Sequence, residues 1–169
     1  GAIVEKGTYK NNEISGSCTI LRLNGSVSQD LNFTEGELDS INKTYYKNGN
    51  LAGIYPRDKG KQNGCEIQYS LAGRVIRNQC FVDDKAEGMD SHLYLSSGWT
   101  LEQNYKNGKP EGIYTEKWFN GKLKETGNYT DSLLNGIQKK WYANGNPESE
   151  INFKNDYRSG DYTLYHTNG

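Results

Sequence analysis

Apolar and polar residues follow one another along this chain at the spacing of short strands, and no stretch shows the three- and four-residue recurrence of an amphipathic helix. Turn signals interrupt the pattern every 8–15 residues. Residues 136–157 show the unit most clearly: two runs rich in aromatic and β-branched residues flank Asn144-Gly145. An Asn-Gly pair between such runs predicts a β-hairpin with a two-residue type I′ turn, whose central residues both need positive φ. The same dipeptide stands at Asn24-Gly25, Asn48-Gly49, Asn120-Gly121 and Asn168-Gly169, with Ala72-Gly73 and Ser97-Gly98 as weaker variants.

The spacing of these signals is regular. Gly16, Ser40, Gly64, Gly88, Gly112, Gly136 and Gly160 lie 24 residues apart, and only Ser40 is not glycine. A second ladder, Gly25, Gly49, Gly73, Gly98, Gly121, Gly145 and Gly169, keeps the step except at Gly98, which comes one residue late. That repeat should hold one extra residue before its turn. Where the other repeats close their second strand with an aromatic, the second has Arg57 after Pro56, which predicts a distorted edge or bulge. A fixed period of this length denotes a repeat array. The expected fold is all-β: an elongated, single-layer antiparallel sheet of consecutive hairpins. One domain covers 1–169, with a partial first repeat 1–15, repeats starting near 16, 40, 64, 88, 112 and 136, and a partial last repeat 160–169.

Composition narrows the functions such a sheet can have. Only 33% of residues are hydrophobic, yet 13 Tyr, four Phe and three Trp supply large contact areas, so the chain folds without a deep core. Twenty Lys/Arg balance 21 Asp/Glu, which leaves no basic footprint for nucleic acid or an anionic membrane. The chain starts at Gly1 without Met and stops in mid-repeat, as a trimmed piece of a longer array would.

The unit Gly-x4/5-[Trp/Tyr]-[Tyr/Phe]-x-Asn-Gly, continued through Leu and a strand-closing aromatic to the next glycine, resembles the MORN-repeat variant found in many bacterial proteins. Its best copies run from Gly112 to Gly136 and from Gly136 to Gly160, with a good match over residues 43–51. The resemblance implies a twisted sheet of hairpins with aromatics packed between repeats and no enzymatic activity in the repeats. Related bacterial chains are labelled antitoxin-like, and the Asn- and Lys-rich composition suits a bacterial source.

Candidate chemistry is sparse. A two-residue turn at Ala72-Gly73 places Cys65 opposite Cys80; the first of these columns elsewhere holds Ile41, Met89, Ile113 and Ile137, and the second holds Asn32, Asn104, Asn128 and Asn152. Two readings stay open: a cross-strand disulfide, at a hydrogen-bonded pair if the turn is ideal, or two half-buried thiols. The disulfide reading places the protein outside the cytoplasm, in a periplasm or at a cell surface. Cys18 has no evident partner. His92 and His166 occupy different offsets and lack ligand spacing, and Asp83-Asp84 and the Asp30, Glu35, Glu37 group lack a calcium-loop pattern, so no metal or other cofactor is expected. No nucleophile–base motif or phosphate loop is present.

The remaining candidates are the aromatic ladders. Tyr45, Tyr69, Trp141 and Tyr165 form one column, with Tyr94 and Trp118 shifted by one. Most such rings belong between repeats, but one set on a two-faced sheet must be more exposed and available to another macromolecule. The expectation is a non-enzymatic scaffold that binds another protein. The alternatives are an accessory or targeting domain of a larger protein, or an antitoxin-like binding protein; balanced charge argues against peripheral lipid attachment.

Overall fold

The computed structural model describes residues 3–168, so the final Asn-Gly pair falls partly outside the described residues. Among those residues the regular structure is β throughout, and the chain divides into two compact units, Gly1–Lys85 and Ala86–Gly169. The first contains β1 (Glu5–Lys6), β2 (Tyr9–Lys10), β3 (Glu13–Ile14), β4 (Gly16–Leu21), β5 (Val27–Thr34), β6 (Glu37–Leu38), β7 (Ser40–Tyr45), β8 (Leu51–Asp58), β9 (Lys61–Gln62), β10 (Gly64–Tyr69) and β11 (Val75–Val82). The second contains β12 (Lys85–Leu93), β13 (Thr100–Lys106), β14 (Lys109–Lys117), β15 (Leu123–Thr130), β16 (Leu133–Leu134), β17 (Gly136–Trp141), β18 (Pro147–Lys154) and β19 (Tyr157–Leu164). Within each unit the hairpin strands pair antiparallel, β4 with β5 and β7 with β8 in the first, β14 with β15 and β17 with β18 in the second. The second strand of a hairpin pairs in turn with the two short segments that follow it, as β5 does with β6 and β7 and β15 with β16 and β17.

The Asn-Gly turns are not of the expected type. Gly25 N–H donates to the Arg22 carbonyl at 2.8 Å and Arg22 N–H to the Ser26 carbonyl at 2.8 Å, which closes a three-residue loop. Gly25 has φ +81°, whereas Leu23 and Asn24 are outside the left-handed region. This is a type I turn followed by a left-handed glycine. Asn fits it because its side chain accepts from the backbone two residues on, as Asn48 does from Asn50 N–H (3.1 Å) and Asn144 from Asn146 N–H (2.9 Å). The turn at Ala72, which lacks that amide, is braced by Ser70 Oγ, which accepts from Arg74 N–H at 3.1 Å.

The type I′ turns lie instead in the polar connections. Asn11-Asn12, Glu35-Gly36, Lys59-Gly60, Asp83-Asp84, Asn107-Gly108, Asp131-Ser132 and Asn155-Asp156 have both residues at positive φ. Each repeat therefore carries two kinds of turn, and a one-residue β-bulge follows the longer one. Leu21 faces Val27, but Ile20 faces Gln29, so Ser28 is extra; the same slip recurs between Gln68 and Tyr69 and between Glu116 and Lys117. The hairpin of β12 and β13 is the variant. Its loop is one residue longer, with Tyr94 N–H bonded to the Trp99 carbonyl, and its register runs from Leu93–Thr100 to Gly88–Tyr105 without a slip. The extra residue that the late Gly98 signals thus replaces the bulge, and the repeat keeps its length.

All seven members of the first ladder have positive φ, from +56° at Ser40 to +104° at Gly64. They mark where the chain steps from one hairpin to the next. On β5, Phe33 faces Leu38 while Asp30 faces Lys43, so three residues oppose five and the kink absorbs two. The predicted distortion at Tyr55–Arg57 is absent: β8 runs unbroken through Pro56, which faces Ile41. Proline fits there because the equivalent Asn32 N–H has no strand partner and donates at 2.8 Å to the side chain of Asn42.

Burial separates the two faces of each unit. One face, here the packed face, holds Cys18, Asn42 and Gln79 in the first unit and Asp90, Gln103, Tyr114 and Ser149 in the second. Apart from Cys18 and Tyr114 these are polar residues. The opposite, open face leaves Ile41 exposed in the first unit and Met89, Ile113 and Ile137 in the second.

Ser40 alone holds a side chain in a left-handed kink, at a cost of about 1–2 kcal/mol against which glycine's extra unfolded-state entropy is smaller. Ser40→Gly should therefore raise the unfolding free energy by roughly 0.5–1 kcal/mol, read as a higher urea midpoint at unchanged slope.

Candidate functional site

The packed face consumes its own polar groups. In the second unit Tyr114 Oη donates to Glu125 Oε1 at 2.6 Å, Gln138 Nε2 donates to the same carboxylate at 2.8 Å, and Lys140 Nζ lies 3.1 Å from its other oxygen. Burial foremost, then the Glu125 carboxylate, holds the Tyr114 phenol far above its ordinary value. Beside this cluster Tyr94 stacks between His92 and Trp99, with ring centroids at 4.2 and 3.9 Å. Lys124, the bulged residue of β15, places its ammonium 4.0 Å from the Trp99 ring and 5.5 Å from the Trp118 ring. The Glu116 carboxylate holds it there at 2.5 Å. The ring faces are covered by one another and by the cation, so this is packing rather than an open stacking platform.

The six aromatics singled out by sequence do not share a face. Strand alternation places Tyr45 and Tyr69 on the open side of the first unit and Trp141 and Tyr165 on the open side of the second. Tyr94 and Trp118, shifted by one in sequence, belong to the packed side. All six are half-buried. The neighbouring column explains why: Tyr46 Oη donates to the Tyr69 carbonyl (2.6 Å), Trp118 Nε1 to that of Trp141 (3.0 Å) and Tyr142 Oη to that of Tyr165 (3.0 Å), while Arg22 reaches the Tyr45 carbonyl. Each clasp joins one turn to the next, 23 residues on. Tyr45 also spends its hydroxyl, donating to Asp30 Oδ2 at 2.9 Å.

The open face of the second unit is different. Met89 faces Asn104, Ile113 faces Asn128 and Ile137 faces Asn152. The three apolar side chains are 47%, 65% and 54% exposed. Their rims are hydrophilic: Lys139 pairs with Glu150 at 2.9 Å and Lys117 with Glu102 at 3.6 Å. The result is a periodic apolar row beside a row of amides. The period made both columns visible in sequence, but their exposure was not, because alternation alone does not say which face of a single layer packs.

In the first unit the same two columns hold Cys65 and Cys80, which face each other and are joined by a disulfide with Cα atoms 3.8 Å apart. The expected register is met by a different route, a three-residue loop plus a bulge instead of a two-residue turn. That route changes the kind of pair. At the equivalent Asn32, the N–H donates to Asn42 Oδ1 and the carbonyl accepts from Asp39 N–H, both away from β4. The site is thus a non-hydrogen-bonded pair, where strands approach more closely than in the hydrogen-bonded pair of an ideal turn. Cys18 is a buried free thiol whose pKa is raised by burial and by Glu5.

The remaining acidic candidates act within the fold. Asp84 Oδ1 accepts from Gln62 N–H at 2.7 Å, and Asp30 accepts from Thr19 and Tyr45. Among the described residues no three His, Cys, Asp or Glu side chains cluster at metal-binding distance.

The geometry defines a β-hairpin repeat protein. Three of its segments, residues 38–58, 110–131 and 134–155, match the MORN repeat variant. Each spans a ladder residue and its hairpin, at Ser40, Gly112 and Gly136, and the chain is similar to that family over these copies. No curated protein matches the chain.

The phenol of Tyr114 stays protonated in the folded protein at a pH where the unfolded chain ionises. The unfolded state then binds fewer protons, so stability falls as pH rises above the ordinary tyrosine value of 10.0. Tyr114→Phe should flatten that alkaline loss in urea titrations between neutral pH and pH of about 11, because it removes the ionising group.

Proposed function

We propose that the chain is a non-enzymatic repeat scaffold that binds another protein, and that the contact is the open face of the second unit. The observation that carries this reading is the row of Met89, Ile113 and Ile137, each about half exposed or more, in register with Asn104, Asn128 and Asn152. Exposed apolar side chains at a fixed step on a hydrogen-bonded sheet form a stiff strip, and amides beside them supply donors and acceptors for a partner's polar rim. Balanced charge suits a protein partner better than nucleic acid. The polar groups of the packed face are engaged with one another, which leaves the open face as the surface available for recognition. The Cys65–Cys80 bond fits an oxidising compartment.

The double variant Ile113→Lys/Ile137→Lys tests this reading. Both residues are solvent-exposed, so its thermal midpoint should stay near that of the wild type. A stoichiometric partner retained by the wild-type chain from extract of its native source should be lost by the variant. Equal retention by both would remove the open face as the contact. The same wild-type protein, prepared without reductant and unfolded, should titrate for one thiol; three would remove the oxidising compartment.

A further inference from the structure

Four Asn-Gly pairs stand in the same three-residue loop, so their backbones and the residue that follows each asparagine are alike. In each loop the glycine N–H donates to the carbonyl three residues back: Gly25 to Arg22 at 2.8 Å, Gly49 to Tyr46 at 3.0 Å, Gly121 to Trp118 at 2.8 Å and Gly145 to Tyr142 at 2.8 Å. In each the asparagine Oδ1 accepts from the backbone N–H two residues on, that of Ser26, Asn50, Lys122 or Asn146. All four asparagines are exposed. An asparagine before glycine is open to attack by the next backbone nitrogen on its own carboxamide, because glycine carries no side chain to block the approach.

The four differ at the carboxamide. In the second unit Asn120 Nδ2 donates to the Ala143 carbonyl at 2.8 Å and Asn144 Nδ2 to the Thr167 carbonyl at 2.9 Å, each 23 residues on. In the first unit the Leu71 carbonyl, which lies 23 residues after Asn48, accepts instead from Asn50 Nδ2 at 3.0 Å. Among the described residues the Nδ2 groups of Asn24 and Asn48 have no acceptor, and only the Oδ1 atoms of these side chains are engaged. Asn24 differs again at that oxygen. Ser26 Oγ donates to Asn24 Oδ1 at 2.8 Å, beside the Ser26 N–H at 3.1 Å. Two donors thus converge on the oxygen where negative charge develops when Cγ is attacked, and such bonds strengthen as the charge forms.

We infer that Asn24 is a site of self-deamidation at which Ser26 polarises the reacting carbonyl, and that the bond to the next repeat protects Asn120 and Asn144. The Gly25 nitrogen gives up its proton and bonds to Asn24 Cγ; the Cγ–Nδ2 bond breaks, and ammonia leaves with that proton. Water then opens the succinimide ring at either carbonyl, which yields aspartate or isoaspartate. Both products place a negative charge at residue 24. Isoaspartate also adds a carbon to the main chain of a loop whose length sets the bulge after Ile20. Asn48, free at Nδ2 but without the hydroxyl, falls between Asn24 and the protected pair. This inference is independent of the open-face reading, whose residues it does not use.

Peptide mapping by mass spectrometry tests this by following each asparagine while the protein ages at mildly alkaline pH. In the folded chain Asn24 should deamidate at least about fivefold faster than Asn120 and Asn144, the worth of roughly one net hydrogen bond. In guanidinium chloride, where the folded contacts are gone, the same sites should differ by no more than about twofold. Ser26→Ala should slow Asn24 by about threefold or more in the folded protein and leave Asn120 and Asn144 unchanged, whereas Ser26→Thr keeps the hydroxyl and should keep the rate. The Ser26 hydroxyl bonds only to Asn24, so both variants retain the backbone bonds of the loop; circular dichroism checks the fold. An Asn24 no faster than Asn120 in the folded chain, an equal excess at Asn24 in denaturant, or a folded Ser26→Ala that deamidates at the wild-type rate would each overturn the proposal.

Discussion

Side chains of one repeat bond to the backbone of the next, and the sheet depends on that clasp because it has almost no apolar core. Of the described residues only Cys18, Leu93, Tyr114 and Leu134 are buried hydrophobics, whereas Asn42, Ser70, Gln79, Asp90, Gln103 and Ser149 are buried polar ones. At the long turns the donors are Arg22, Tyr46, Trp118 and Tyr142, aimed at a carbonyl 23 residues on. At the short turns the backbone does the same, Gly36 N–H reaching Ile14 and Gly60 N–H reaching Leu38. Each bond contributes about 1 kcal/mol net, but a buried group left without its partner costs more than a made bond gains. A polar interior of this kind tolerates little change in geometry, which is why the repeat length is held so strictly.

Two different turn devices keep that length. A three-residue loop with a bulge and a four-residue loop without one both bring the same positions opposite each other. The columns therefore stay in register through the irregular hairpin of β12 and β13, and the clasps within each unit fall at nearly constant separation. The left-handed kink at each ladder residue belongs to the same constraint, since it lets two extra residues cross between hairpins without shifting the next one.

The repeat, the all-β class and the facing of Cys65 and Cys80 were legible in the sequence because each depends on counting, and the period conserves the count. Turn type was not. Asn-Gly serves a type I′ turn and equally a type I turn followed by a left-handed glycine, and the dipeptide does not distinguish them. The type I′ turns hid in pairs such as Glu35-Gly36 and Lys59-Gly60, where a residue with no left-handed preference is forced to φ +50° and +48° by the strands on either side. Face assignment was also hidden. Aromatics such as Tyr45 and Trp141 look like surface candidates by alternation, but clasps from the adjacent column hold them half-buried. Plain aliphatics at Ile113 and Ile137 are the residues left exposed.

Asn42 gives the most direct measurement of the polar clasp. It is 3% exposed; its Oδ1 accepts from Asn32 N–H at 2.8 Å and its Nδ2 donates to the Tyr55 carbonyl at 3.3 Å. Asn42→Leu replaces it with an apolar side chain of similar size. If hydrogen bonds between repeats hold the sheet, urea unfolding should show a loss of about 2 kcal/mol or more, because the Asn32 N–H loses its partner in a buried place. Unchanged or increased stability would contradict the account and place the stabilisation in apolar burial instead.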